Sequence, residues 1–376
     1  MAMGFAAFGG WSLLLPVIPL TVSEGGGSDA VAGAVTTVFM AATVATQLGT
    51  PRLLQVRGYR LVLAAGCLLL GVPALVFLLS TAAPVALGVS VVRGVGFGLV
   101  TVAGSALVAE LVPRELLGRA TGAQGIAIAV GQMIALPAGL ALYGGGHADL
   151  VYLLGAAVPL LAVGAIAALP PVRHARAESG RRSLPRSVLL VPCLSMLVVA
   201  SVHGGVASLL PIAVADRAAV AGLALAVVSG ATLVGRYAAG LTVDRIGVGR
   251  IMVPALATAA SGAAVFAAAI AVAGSAGIAL LMAGAVLFGA GFGAVQNEAL
   301  VTLLRSAGPA RLGAASAAWN VSYDAGTGVG ALTLGVVAGL TGYIGVFTVS
   351  AIAVVLVMPV ALLIPSTGRP ADRVVP

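Results

Sequence analysis

The sequence predicts an all-α membrane protein of twelve transmembrane helices, arranged as two six-helix halves related by pseudo-symmetry. Three observations support this prediction: 60% of the residues are hydrophobic, only 8% are charged, and the apolar runs are long and unalternating. Such a composition leaves too little polar surface to cover a water-soluble protein of 376 residues. Helices are expected rather than a barrel, because each backbone N–H and C=O group inside lipid needs a partner within its own segment.

Hydropathy and turn signals define the individual spans. The first apolar run lacks a basic leader and a small-residue cleavage site, so we predict a spanning helix there rather than a signal peptide. It also lacks a cytoplasmic lead-in, and we expect the natural chain to begin upstream of Met1. The predicted spans lie near residues 2–22, 30–50, 61–80, 84–109, 119–142, 150–169, 188–213, 219–242, 251–273, 276–303, 313–339 and 342–364.

The loop charges predict an orientation. If the N-terminus is cytoplasmic, nearly all loop arginines lie inside, whereas the outer loops carry acidic residues and one arginine, Arg217. Because positively charged loops stay on the cytoplasmic side, both termini are predicted to be cytoplasmic. All 19 basic residues are arginine, and Ala, Gly and Val are abundant. This usage is typical of a G+C-rich bacterial genome and favours the bacterial plasma membrane.

The longest polar segment divides the chain. We predict an N-terminal half at 1–169, a basic cytoplasmic linker at 170–187, a C-terminal half at 188–364 and a cytoplasmic tail at 365–376. An internal repeat supports the division, since residues 93–111 match residues 288–306 without gaps at an offset of 195. Each half contains an even number of spans, so the two halves are expected to be parallel repeats.

Several functional classes are not supported by the sequence. It contains no phosphate-binding G-x4-G-K-[ST] loop, no HExxH, no GxSxG and no clustered carboxylates, so we expect neither direct ATP drive nor an enzyme. Cys67 and Cys193 lie in apolar runs without metal-ligand spacing, and we predict no metal and no cofactor. The net charge of +8 is scattered between spans, which argues against nucleic acid as a partner.

A charged motif follows the eighth predicted span. The residues Gly240, Asp244, Arg245, Gly247 and Arg250, preceded one turn earlier by Arg236, resemble the loop motif G-x-x-x-D-R-x-G-x-R of the major facilitator superfamily, with the last arginine one residue late. The resemblance covers essentially the whole chain. The resemblance implies a latch that gates the transporter, because an acidic residue at a helix end accepts charge-assisted hydrogen bonds from arginines and helix N-termini. The gating residues are Arg236, Gly240, Asp244, Arg245, Gly247 and Arg250. A plain positive-inside loop is the alternative interpretation.

The first half carries a degenerate copy of this motif at residues 46–60. Aligned on Gly58, the copy has Gln55 in place of the acid, Val56 in place of the following arginine and Pro51 in place of the first glycine. The ion pair cannot form there. The latch of the second half is therefore expected to dominate.

Charged and titratable residues inside predicted spans are candidates for proton coupling, because a charge at bilayer depth costs about 2.5 kcal/mol or more. Asp324 lies near the middle of span eleven and is the first choice, since a carboxylate at this depth can bind and release a proton. Arg93 resembles the arginine of the family's fourth-helix motif. Glu298 in span ten and His203 in span seven are further candidates, with structural roles as the alternative for all four.

Amide and aromatic side chains are the candidates for substrate binding. The resemblance implies that spans one, four, seven and ten line the transport cavity. The candidates are Gln296, Asn297, Asn320, Trp11 and Trp319. Aromatic residues at helical spacing also serve ordinary packing.

The resemblance implies secondary transport of a small organic molecule by alternating access, with protons and membrane lipid as further partners and a monomer as the expected state. Span five carries part of the antiporter motif G-x8-G-x3-G-P-x2-G at Gly122, Gly131 and Gly139, which favours proton-coupled efflux of an amphipathic compound or metabolite. Two alternatives stay open. One is an importer or facilitator of a sugar-like polar solute, and the other is a membrane sensor that does not transport.

Overall fold

The computed structural model describes residues 2–111, 117–167, 186–307 and 312–362. Within these ranges the chain is helical almost throughout, because nearly every segment is a long apolar run. Two short 3-10 helices, Val72–Leu78 and Ala215–Arg217, extend or join longer helices. The α-helices are α1 (Ala2–Leu14), α2 (Val17–Glu24), α3 (Asp29–Gly71), α4 (Ala83–Leu111), α5 (Leu117–Gly144), α6 (Ala148–Ala167), α7 (Arg186–Ala213), α8 (Ala218–Ile246), α9 (Met252–Ala271), α10 (Gly274–Ala307) and α11 (Leu312–Ala361).

These helices supply twelve membrane crossings. Eight helical segments of the described chain are long and apolar enough to span a membrane. Two of them, Asp29–Leu78 and Ala315–Ala361, contain 50 and 47 residues. Each is long enough for two crossings, since one crossing takes about 20 residues. Helix α6 and the consecutive helices α1 and α2 add the remaining two crossings, so the twelve-helix prediction is confirmed.

Each double-length helix turns at a single glycine. Gly58 within α3 has φ 73° and Gly342 within α11 has φ 70°, a left-handed conformation that glycine adopts without a side-chain penalty. We expected a loop over residues 51–60. Instead, α3 continues through Pro51 as far as Gly58, because this stretch consists largely of good helix formers, namely arginine, leucine and glutamine.

The described residues form two compact units. Unit 1 contains the described residues up to 178 together with 207–226, and unit 2 contains the described residues of 179–206 and 227–376. In unit 1, the Ser208 hydroxyl of α7 lies 2.9 Å from the Thr36 hydroxyl of α3. Most of the predicted linker at 170–187 and the predicted tail lie outside the described residues, so the domain boundaries stay a prediction.

The internal repeat reappears as matched helix contacts. In unit 1, α4 packs on α3 so closely that a β-carbon at Gly98 would lie 2.6 Å from the Thr43 carbonyl oxygen. In unit 2, a β-carbon at Gly293 of α10 would overlap the carbonyl oxygen of Thr232 in α8. The two glycines are 195 residues apart and the two threonines 189 residues apart, which are the offsets of the sequence repeat. The pseudo-symmetry of the two halves is therefore confirmed.

Candidate substrate and proton site

Polar and aromatic side chains of unit 2 converge from four helices. Close backbone approach allows this: a β-carbon at Gly204 of α7 would overlap the Thr327 carbonyl of α11, just as Gly293 of α10 admits the backbone of α8. We call the resulting cluster the unit 2 site. It consists of His203 of α7, Arg236 of α8, Phe292 and Gln296 of α10, and Trp319 and Tyr323 of α11.

Gln296 connects three helices of the unit 2 site. Its side-chain oxygen accepts a hydrogen bond of 3.3 Å from Arg236 Nη1, and its backbone oxygen accepts one of 3.2 Å from Trp319 Nε1. The Arg236 guanidinium also lies 5.6 Å from the centre of the Trp319 ring, a cation–π distance. Arg236, which the sequence motif assigned to the gate, is thus held among the candidate substrate residues.

Stacked rings extend the unit 2 site across α10, α11 and α7. Trp319 stacks on Tyr323 at 5.8 Å with an angle of 22° between the rings, and Tyr323 stacks on Phe292 at 6.0 Å and 26°. His203 stacks on Phe292 at 4.6 Å and 17°. Trp319, Tyr323 and Arg236 are half-buried, whereas Phe292 and His203 are buried. The cluster therefore runs from half-buried groups to a buried aromatic end.

Two titratable side chains are buried here, one within the ring stack and one that follows Tyr323 in the sequence. Asp324 follows Tyr323 in α11 and is 6% exposed, and His203 is 9% exposed. His203 Nδ1 is buried without a hydrogen-bond partner among the described residues. An imidazole nitrogen in this situation can accept a proton or a donor group from a guest molecule. The imidazole of the unit 2 site and the carboxyl group that follows Tyr323 are therefore both candidates for proton binding.

Glu298 has a different environment. Its side chain is fully buried in α10 and accepts a hydrogen bond from the backbone N–H of Gly249, in the turn after α8. This turn contains Gly247 at φ 86° and Gly249 at φ 88°. The carboxylate therefore fastens the motif turn to α10.

The other motif residues lie around this turn. Arg245 and Arg250 are exposed, and Asp244 belongs to α8 with a side chain outside the described residues. A β-carbon at Gly240 would lie 3.4 Å from Asn297 Nδ2, which places Asn297 next to the motif rather than at Arg236. Asn320 donates to the Ser316 carbonyl of its own helix. Of the three amides predicted to bind substrate, the structure brings Gln296 into the unit 2 site.

The remaining candidates lie in unit 1. Trp11 stacks on Phe97 at 4.9 Å and 28°, and Phe8 packs against the same ring at 4.9 Å. Arg93 is 3% exposed, donates from Nε to the Leu70 carbonyl at 3.0 Å and lies 5.9 Å from the centre of the Phe39 ring. Gly139 of the partial antiporter motif packs against the Leu13 carbonyl. In unit 1, these groups build contacts between helices.

The sequence analysis did not single out Phe292 and Tyr323. Two signals pointed to them: Phe292 lies 195 residues after Phe97, and Trp319 and Tyr323 are spaced i, i+4, which places them on one helix face.

The chain resembles known transport proteins in sequence and in fold. The family profile described as Major Facilitator Superfamily matches residues 1–218. A variant of the nucleoside transporter NupG has a TM-score of 0.78 at 13% identity, covering 96% of this chain and 97% of its own. The xylose transporter XylE from E. coli in its inward open conformation has a TM-score of 0.77 at 14% identity, covering 97% and 95%. A structure of the D-xylose-proton symporter has a TM-score of 0.78 at 14% identity, covering 97% and 96%. Among curated protein sequences, none matches this chain.

Proposed function

This chain belongs to the major facilitator superfamily and is a multi-pass membrane transporter of small molecules, and we propose that it exports an amphipathic organic compound in exchange for protons. The observation that carries the proposal is the unit 2 site. There, His203 stacks on Phe292 and lies 6.2 Å from Tyr323, and the buried Asp324 follows Tyr323 in α11. Proton binding changes the charge at the place where a substrate would dock.

Such adjacency supports coupling by differential binding. A proton on Asp324 or His203 removes or adds a charge in a membrane-spanning segment, where uncompensated charge is costly. Protonation and substrate binding then stabilise different conformations of the carrier, and the coupling free energy is shared by both ligands. Asp324 is the primary proton site and His203 the secondary one in this proposal.

The direction of transport rests on the partial antiporter motif of α5. A second candidate function is proton-coupled uptake of a polar solute. It is favoured by the amide of Gln296 within the unit 2 site and by the likeness in fold to a D-xylose-proton symporter and a nucleoside transporter. In either case we propose a monomer in a bacterial plasma membrane, with both termini cytoplasmic and no enzymatic activity.

Transport by purified protein in liposomes tests the proposal. With an imposed proton gradient, wild type should accumulate a lipophilic test compound from a panel of dyes, antibiotics and sugars. Asp324→Asn should lose gradient-driven accumulation while retaining exchange of labelled for unlabelled substrate, because the site remains but the proton carrier is gone. Asp29→Asn is the matched control, since Asp29 lies in the first turn of α3 and belongs to unit 1.

The outcomes separate the candidates. Accumulation of sugars alone would replace the export proposal by polar-solute uptake. Gradient-driven accumulation that survives in Asp324→Asn would remove this residue from the coupling mechanism, and the same assay with His203→Gln would then test the secondary site. Flux indifferent to the proton gradient in wild type would mean a facilitator.

A further inference from the structure

We propose that Arg236 is the anion-binding residue of the unit 2 site and that the substrate is a planar, amphipathic organic anion such as an aromatic carboxylate. This inference rests on the proposed transport function and specifies its substrate class. Arg236 supplies the positive charge, Gln296 orients the guanidinium, and the rings of Trp319 and Tyr323 receive the planar body.

The charge of Arg236 is the first argument. Arg236 lies in the apolar segment Ala219–Val243, and a charge inside a membrane is costly without a partner of opposite sign. Among the described residues, the groups that hold its guanidinium are the amide oxygen of Gln296 and the ring of Trp319. Both are uncharged. An anionic guest would supply the missing counter-charge.

The second argument is the availability of donors. A guanidinium carries five N–H donors in a planar fork that matches the two oxygens of a carboxylate. Gln296 accepts from Nη1, and the centre of the Trp319 ring lies 5.6 Å from the guanidinium carbon. Arg236 is half-buried, and the bond to Gln296 uses one of its five donors.

The aromatic rings beside Arg236 are the third argument. Trp319 and Tyr323 are half-buried, stacked at 22°, and continue into Phe292 at 26°. These rings form a continuous aromatic row that begins at the guanidinium, since Trp319 lies next to both Arg236 and Tyr323. A flat molecule with its carboxylate at one end fits this order of groups, because aromatic rings favour offset stacking on such a surface.

In unit 1, the helix contact equivalent to that between Arg236 and Gln296 is made without a positive charge. The residue equivalent to Arg236 is Gln47, 189 positions earlier, and the residue equivalent to Gln296 is Thr101, 195 positions earlier. Gln47 Nε2 donates to Thr101 Oγ1 at 3.2 Å, so a neutral pair closes the same contact. The positive charge in unit 2 therefore has a purpose beyond joining α8 to α10.

Equilibrium binding to the full-length protein in lipid nanodiscs tests the inference. The probes are 1-naphthoate, its neutral isostere 1-naphthamide and the cation 1-naphthylmethylammonium, each titrated by calorimetry. We expect naphthoate to bind at least about tenfold more tightly than naphthamide, a difference of about 1.4 kcal/mol. Arg236→Gln should abolish this preference while leaving naphthamide binding within about threefold of the wild-type value.

Two further variants keep the result interpretable. Arg236→Lys should retain part of the preference, because it keeps the charge and loses the planar fork. Arg305→Gln, which removes an exposed arginine of α10, should retain all of it. Gel filtration and the thermal unfolding midpoint establish that each variant is folded. Should Arg236→Gln not fold, the lysine variant and the three-probe comparison on wild type still decide the question.

The inference is overturned if wild type binds naphthamide or the cation as tightly as naphthoate, if none of the probes binds saturably, or if Arg236→Gln keeps the preference for the anion. Transport in liposomes then separates the two proposals. Gradient-driven export of neutral or cationic compounds alone would sustain the exporter and reject the anion site. Selective naphthoate binding without proton-driven flux would sustain the anion site and reject the exporter.

Discussion

At equivalent places in the two units, an indole and an imidazole stack on matched phenyl rings: Trp11 on Phe97 in unit 1, and His203 on Phe292 in unit 2. The neighbouring helix contact is closed by Gln47 and Thr101 in unit 1 but by Arg236 and Gln296 in unit 2. Both units thus keep the helix packing, while unit 2 has acquired titratable and charged groups at these positions. Duplication preserved the backbone contacts and left the side chains free to diverge.

At a second pair of equivalent positions, the arginine lies in unit 1 and an uncharged residue lies in unit 2. Arg93 of unit 1 corresponds to Phe288 of unit 2 at the offset of 195. In unit 1, α3 gives way to the 3-10 helix Val72–Leu78, and Pro73 has no N–H to donate to the Leu70 carbonyl. Arg93 takes its place. In unit 2, α9 is continuous and a buried phenyl suffices, which indicates a structural purpose for Arg93.

The largest effect is expected from substitutions that disrupt the helix packing common to both units. Gly98→Val and Gly293→Val place a branched side chain against the carbonyl oxygens of Thr43 and Thr232. Each should lower the free energy of unfolding by about 1–3 kcal/mol, because the backbones must separate. The thermal unfolding midpoint in detergent measures this loss, and Gly88→Val, which meets open space, is the control. The alanine variants serve if the valine proteins do not purify. A marked loss in one unit only would contradict the equivalence.

The next effect concerns the carboxylate that fastens the motif turn in unit 2. Glu298→Ala leaves the Gly249 N–H without its acceptor and should destabilise the turn locally by about 1–3 kcal/mol. Amide hydrogen exchange of residues 246–251 should therefore accelerate by about tenfold or more. Exchange around Gly58, the equivalent turn in unit 1, should not change. Glu298→Gln keeps an acceptor and should lie between wild type and alanine, so an alanine variant with wild-type exchange would show that the bond does not hold the turn.

A smaller effect tests the structural purpose of Arg93. Glutamine places Nε2 at the position of the arginine Nε and can donate to the Leu70 carbonyl, whereas methionine cannot. Arg93→Gln should therefore be more stable than Arg93→Met by about 1 kcal/mol, measured from unfolding midpoints. Phe288→Met in unit 2 accounts for the general cost of a flexible side chain at this place in the repeat. Equal midpoints for the two Arg93 variants would argue against the bond.

The smallest effect is expected at the two equivalent interhelical pairs, Gln47–Thr101 in unit 1 and Arg236–Gln296 in unit 2. Gln47→Leu removes the hydrogen bond to Thr101 and should lower the free energy of unfolding by at most about 1.5 kcal/mol, since a neutral hydrogen bond contributes little net stability. It should leave the affinity for aromatic carboxylates unchanged, whereas Arg236→Leu should reduce that affinity. Calorimetric titration of both variants makes the comparison. A loss of affinity in Gln47→Leu would extend the anion site into unit 1.

Much of the candidate site was visible in the sequence as residue types at membrane depth. Asp324, His203, Gln296 and Trp319 were singled out because polar and aromatic groups within apolar runs are rare. Tyr323 and Phe292 were missed because aromatic side chains in a membrane helix are usually packing residues. The i, i+4 spacing from Trp319 marks Tyr323, and the repeat offset from Phe97 marks Phe292. Neither signal separates a ring stack at a site from ordinary packing until the ring geometry is known.

The number of spans and the pseudo-repeat follow from the sequence, because they depend on local composition and on residue spacing. The tertiary structure alone decided that Arg236 joins Gln296 and Trp319, and that Glu298 binds the turn at Gly249. The physical reason is the rotation of each helix about its axis. A membrane helix that is apolar all round carries no strong sequence signal for the face it turns inward. The packing of neighbouring helices selects that face.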